Sequence, residues 1–88
     1  MRRLVFHKKF EKQFSALKPA QKERVKTALA SFAKGENLSS LRIHKLVGEF
    51  RGQISLSAGG DLRVHIIEDE EDALVIALQV ESHSQLYR

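Results

Sequence analysis

The apolar residues of this chain change period once, near Ser40, and that switch constrains the fold more than any other feature. Before it they recur at helical spacing. Phe6, Phe10, Phe14 and Leu17 lie three or four residues apart, with Lys8, Lys9, Glu11 and Lys12 between them. This predicts an amphipathic helix over Lys8–Leu17. Lys18-Pro19 breaks it, and Pro19 suits the first position of the next helix. There, Val25, Ala28, Leu29 and Phe32 follow the one-face pattern of a buried helix, and Gly35 is placed to end it as a left-handed cap. So short a connection predicts a helical hairpin. Upstream, Arg3-Leu4-Val5-Phe6 reads as a short edge strand. Gly35–Ser40 reads as a loop.

After Ser40 the period is two. Leu41–Leu46 reads as a strand, Val47-Gly48 as a turn and Phe50–Leu56 as a second strand. Ala58-Gly59-Gly60-Asp61 is a turn signal. Leu62, Val64 and Ile66 then alternate with Arg63, His65 and Ile67, a third strand with one buried face. Glu68–Asp72 carries five acids in a row and reads as a solvated turn. Ala73–Val80 is almost continuously apolar, as a central, well-covered strand is. Ser82–Arg88 reads as a short tail, with room for one helical turn. Helices followed by strands indicate an α+β fold: an amino-terminal strand and helical hairpin packed on a mostly antiparallel sheet of about four strands.

Composition sets the outer limits. With 88 residues, 42% hydrophobic and 30% charged, the chain can build one core, and one domain over residues 1–88 is expected. It has no cysteine, which excludes a disulfide scaffold, a thiolate zinc site and a thiol nucleophile. Its longest apolar runs fall far short of the roughly 20 residues of a membrane span. No apolar region of signal-peptide length follows Met1-Arg2-Arg3-Leu4. These features point to a cytoplasmic protein that does not use the membrane. The net charge is +4, and residues 1–34 hold ten of the fifteen basic residues against only Glu11 and Glu23. That surface suits a polyanionic partner, and equally a solvated, lysine-rich helix face.

The third strand carries the first chemical hint. Alternation puts Asp61, Arg63 and His65 on one side of it and the aliphatic residues on the other. A carboxylate, a guanidinium and an imidazole in a row are the groups needed to hold and cleave a phosphodiester. A cation stabilises the extra transition-state charge, a base takes the proton of the attacking hydroxyl, and an acid protonates the leaving oxygen. Polar residues on the solvated face of a strand are the ordinary alternative. His83 lies just past the last strand, where it is either presented at a cleft rim or caps a backbone group; its imidazole exchanges protons at cellular pH. His44 sits mid-strand, facing the same cleft or solvent. His7 has no evident role. Phe10 and Phe14, at helical spacing, read as core rather than as stacking platforms for bases. No phosphate-binding glycine loop and no GxSxG elbow are present. The four histidines lack metal-ligand spacing, so neither a metal nor another cofactor is expected.

Four segments together resemble a known family: His44-Lys45-Leu46-Val47-Gly48-Glu49-Phe50-Arg51-Gly52, Ser55-Leu56-Ser57, Gly60-Asp61-Leu62-Arg63-Val64 and Glu81-Ser82-His83-Ser84-Gln85-Leu86-Tyr87. In order and spacing they resemble the RelE/ParE superfamily of bacterial toxins, and most of all the YafQ-type mRNA interferases. The resemblance implies a toxin of a type II toxin–antitoxin pair: a small, basic, metal-independent endoribonuclease that cuts mRNA on the ribosome by 2′-hydroxyl attack and is neutralised by a cognate antitoxin. It implies His83 as general acid, Asp61 as base or orienting group, and His44 as base or phosphate ligand. Tyr87 would stack on the nucleotide, and Arg63, Arg51, Lys45 and His65 would bind substrate or phosphate. Ser57, Leu62, Gln79 and Glu81 depart from the family's histidine, tryptophan, arginine and glycine. A ParE-like toxin that inhibits gyrase by binding, or a non-catalytic homologue, would share the scaffold.

Overall fold

A computed structural model describes residues 3–48, 52–60, 62–69 and 74–82. The order is β1 (Arg3–Phe6), α1 (Lys8–Ser15), α2 (Pro19–Lys34), a 3-10 turn (Leu38–Leu41), β2 (His44–Lys45), β3 (Ile54–Ser57), β4 (Leu62–Asp69) and β5 (Leu74–Ser82). The strands form one five-stranded sheet in the order β1-β5-β4-β3-β2. β1 pairs with β5 in parallel, and the other pairings are antiparallel. The fold is α+β, as expected, with β1 at one edge and β5 inside the sheet.

Both helices begin and end where local chemistry dictates. His7 caps α1: its Nδ1 accepts the Lys9 backbone N–H at 3.1 Å, which satisfies one of the orphan donors of the first turn. That gives a task to the histidine for which the sequence suggested none. Helix α1 stops at Ser15, two residues earlier than the apolar spacing predicts. Pro19 opens α2, and the Lys18 backbone N–H donates to Gln21 Oε1 at 3.0 Å. Gly35 ends it at φ +73°, with its N–H donating to Phe32 O and the Glu36 N–H to Ser31 O. This is a left-handed cap of the kind only glycine adopts without strain.

One face of the sheet and the inner faces of the helices make the core. Phe10, Val25, Ala28, Leu29 and Phe32 meet Leu41, Leu56, Leu62, Val64 and Ile66, all buried. Full burial of each large aliphatic or aromatic side chain contributes about 1.5–3 kcal/mol. Phe10 also stacks between Phe6 and Phe14, at ring separations of 5.2 and 5.7 Å, so these rings serve packing.

Four strand boundaries differ from the sequence expectation, one of them at β5, which runs past Val80 through Glu81 and Ser82 into the expected tail. Instead of a strand over Leu41–Leu46, residues Leu38–Leu41 form a 3-10 turn and only His44–Lys45 pair. Asn37 and Arg42 adopt φ of +53° and +47°, incompatible with a continuous ladder, and Ser40 turns its N–H and hydroxyl back onto Asn37 O. The second strand is Ile54–Ser57, because Gly52 at φ +93° bends the chain just before it. Glu68 and Asp69 extend β4 rather than beginning a turn. Within the β4–β5 pairing, His65 stands opposite Gln79 and Ile66 opposite Ala77, so Leu78 is an extra residue and the alternation changes phase there. Among the described residues, no helix is long and apolar enough to cross a membrane.

Candidate functional site

The sheet face turned away from the helices is polar, and the register defines it. Directly paired residues on neighbouring strands share a face. His44 on β2 pairs with Ser55 on β3, and Ser55 pairs with His65 on β4. Ser57 pairs with Arg63. Two imidazoles therefore flank a serine in one cross-strand row, with an arginine and a second serine in the next. Ile54, Leu56, Val64 and Ile66 alternate to the opposite face, which the core occupies.

The expected solvated face is in fact largely covered. His65 is 2% exposed and Ser55 0%, while Arg63 is half-buried. Both residues lie on inner strands of the five-stranded sheet, where side chains of the neighbouring strands flank them on the same face. That burial leaves His65 little surface to offer a ligand. Three side-chain atoms on or beside this face are buried with no hydrogen-bond partner among the described residues: Gln53 Oε1, Ser55 Oγ and Arg63 Nη1. Buried polar groups are rarely left unpaired, because each costs about 1–3 kcal/mol. Such a cluster is what a face built to receive a polar ligand presents. Alternation alone would have grouped Gln53 with Ser55 and Ser57, but nothing in the sequence marks them as unpaired.

His44 is exposed at the rim. Its Nδ1 lies 3.2 Å from Arg42 O. A carbonyl only accepts, so Nδ1 is the donor in this contact, and Nε2 is the ring nitrogen left for another partner. The positive φ of Arg42 is the local bend that brings its carbonyl under the ring. Lys45, next in sequence, pairs with Ile54 and so belongs to the other face. It lines a cleft of about 620 Å³ with Leu46, Val47, Gly48, Gly52 and Gln53, and register separates it from the row that holds His44. Arg51, Asp61, His83 and Tyr87 lie outside the described residues. In the sequence, Asp61 directly precedes β4, two positions before Arg63, and His83 directly follows β5. No group of metal-ligating side chains occurs among the described residues.

Comparison with known proteins gives likeness of structure without likeness of sequence. No family model and no curated protein matches the chain. YafQ from Escherichia coli superposes with a TM-score of 0.77 at 13% identity, over 100% of both chains. A metal-bound toxin from Helicobacter pylori also gives 0.77, at 17% identity over 98% of this chain and 99% of the other. The archaeal RelE of a RelE–RelB complex from Pyrococcus horikoshii gives 0.72 at 19% identity, over 96% and 97%. A two-helix, five-strand layout shared over whole chains at such scores means that this protein has the fold of the RelE- and YafQ-type toxins.

Proposed function

We propose that the protein is the toxin of a type II toxin–antitoxin system, one RelE/YafQ-like domain over residues 1–88 that acts in the cytoplasm as a metal-independent endoribonuclease on ribosome-bound mRNA. The carrying observation is His44, exposed at the rim with its Nδ1 on the Arg42 carbonyl, beside a polar sheet face that holds a guanidinium nitrogen of Arg63 with no partner among the described residues, on a scaffold shared with such toxins. In the reaction, the ribose 2′-hydroxyl attacks the adjacent phosphorus while the bond to the 5′-oxygen breaks, leaving a 2′,3′-cyclic phosphate. His44 or Asp61 takes the 2′ proton, and His83 gives one to the departing 5′-oxygen. Arg63 and Arg51 neutralise charge that grows on the phosphoryl oxygens. His65 orients the face, Lys45 holds the backbone beyond it, and Tyr87 stacks on a base. The basic residues of α1 and α2 meet ribosomal RNA, and an acidic antitoxin segment, folding as it binds, covers the same surface.

Induced expression tests the reading, with mRNA ends mapped by primer extension. Wild-type protein should arrest growth and produce new 5′ ends within reading frames. His44→Ala and His83→Ala should each lose at least about a hundredfold in cleavage, the ordinary contribution of one positioned acid or base. Arrest that persists in both variants with mRNA intact would instead indicate a toxin that acts by binding, as an inhibitor of gyrase would.

A further inference from the structure

A second pocket, of about 380 Å³, lies where α2 meets the β3–β4 turn. Its floor is apolar, with Ala28, Leu41 and Ala58, and Arg24, Thr27, Ser31 and Ser57 stand around it. Arg24 lies against the turn: a Cβ at Gly59 would stand 3.3 Å from Arg24 Cδ, and one at Gly60 would stand 3.7 Å from Arg24 Nη1. The two glycines, at φ +96° and +57°, thus both make the turn and leave room for the guanidinium beside it. Arg24 is exposed and has no hydrogen bond or ion pair among the described residues. The neighbouring Glu23 carboxylate is drawn toward Lys26, 3.5 Å away.

The hydroxyls around Arg24 have donors to spare. Thr27 and Ser31 lie one turn apart on the same helix face, and neither hydroxyl bonds within the described residues. Ser57 Oγ accepts the Gly59 N–H at 3.3 Å, which leaves its own proton for a ligand. A guanidinium with several hydroxyl donors matches the oxygens of a phosphate. Ser57 also joins this pocket to the candidate site, since it pairs across the strands with Arg63.

We infer that the α2 pocket around Arg24, Thr27, Ser31 and Ser57 is a phosphate subsite that holds the substrate RNA backbone beyond the linkage at Arg63. This rests on the nuclease reading above and adds a contact to it. The pocket lies at the end of the sheet beyond the Ser57–Arg63 pair, on the side away from the His44 row, so a strand leaving the polar face reaches it by turning over that end of the sheet. Arg24 here binds substrate and takes no part in proton transfer.

The test uses a short, single-stranded 2′-O-methyl RNA labelled with a fluorophore, which cannot be cleaved, and reads anisotropy between about 50 and 200 mM salt. Arg24→Ala should weaken binding roughly tenfold and reduce the log–log salt slope by about 0.7, one phosphate contact on a single strand. Arg3→Ala, which removes one equally exposed charge from β1, should change affinity far less. Thr27→Val combined with Ser31→Ala should weaken binding several-fold with the slope unchanged, and it guards against misfolding of the arginine variant. Equal losses for Arg24→Ala and Arg3→Ala would overturn the subsite and leave the nuclease reading intact. Absence of any wild-type binding at the lowest salt would also overturn the subsite, while cleavage of ribosome-bound mRNA by the same protein would leave the nuclease reading standing.

Discussion

Ser55 is where stability and function are set against each other, and replacing it with alanine separates them. Its side chain is fully buried between two cross-strand histidines, and Oγ has no hydrogen-bond partner among the described residues. Burying an unsatisfied hydroxyl costs about 1–3 kcal/mol, and Ser55→Ala removes that cost without enlarging the side chain. Against it stands the lower strand preference of alanine, on a scale that spans about 1 kcal/mol. The net expectation is a gain of about 1 kcal/mol. For a domain of this size that raises Tm by roughly 4–8 °C. Thermal and urea unfolding followed by circular dichroism read the change, with an unaltered urea slope confirming that only stability moved. On the proposed nuclease reading, RNA cleavage by the same variant should fall, because a ligand on this face would lose a hydroxyl partner. A loss of stability on removing the hydroxyl would refute the reasoning, since it would mean that Oγ is already satisfied in the folded protein.

Other substitutions probe the elements that support this face. Leu56→Ala should cost about 2–5 kcal/mol in urea unfolding, because Leu56 is 0% exposed beneath α2. Gly35→Ala should cost about 1 kcal/mol by the same measurement, through the left-handed φ alone, since a Cβ there meets nothing. Gly59→Ala should cost more than Gly35→Ala, because the same strain is joined by contact with Arg24. His7→Ala should lower Tm through loss of the α1 cap, by about 1 kcal/mol, with RNA cleavage unchanged.

Much of this architecture is legible in the amino acids themselves. The helices follow from the spacing of Phe10, Phe14, Val25, Leu29 and Phe32, and their ends from Pro19 and Gly35, because both signals are local. The buried face of β4 follows from Leu62, Val64 and Ile66 in the same way. What escapes is whatever depends on strand partners. Nothing in the segment around His65 announces that β4 is the middle strand of five, so its polar face reads as solvated although His65 is 2% exposed. The left-handed φ of Asn37 and Arg42 belongs to residues that usually avoid it, and the expected strand over Leu41–Leu46 is lost for that reason. The bulge at Leu78 hides in an unbroken apolar run, where a change of phase leaves no trace in residue type. The site shows the same division. His44 and Arg63 are visible as residues, but only the register shows that they share a face and that Lys45 does not.

The departures from the resembling family gain a physical meaning from this geometry. Leu62 is 0% exposed and belongs to the core, so a leucine in place of tryptophan there is first a matter of packing. Ser57 stands opposite Arg63 in the register, so the position where the family carries a histidine is paired with a guanidinium. On β5, Gln79 stands opposite His65 and Glu81 opposite Arg63. An arginine at position 79 would stand one strand over and one non-adjacent pair along from position 63, where one guanidinium nitrogen is buried with no partner among the described residues. On the proposed nuclease reading, Arg63→Gln should depress cleavage strongly, and Gln79→Arg in the same chain should restore part of it, because a cation on either strand can then answer the charge of one phosphoryl group. Primer extension with the single and double variants decides the point: no recovery in the double variant would mean that the two positions do not address the same phosphate.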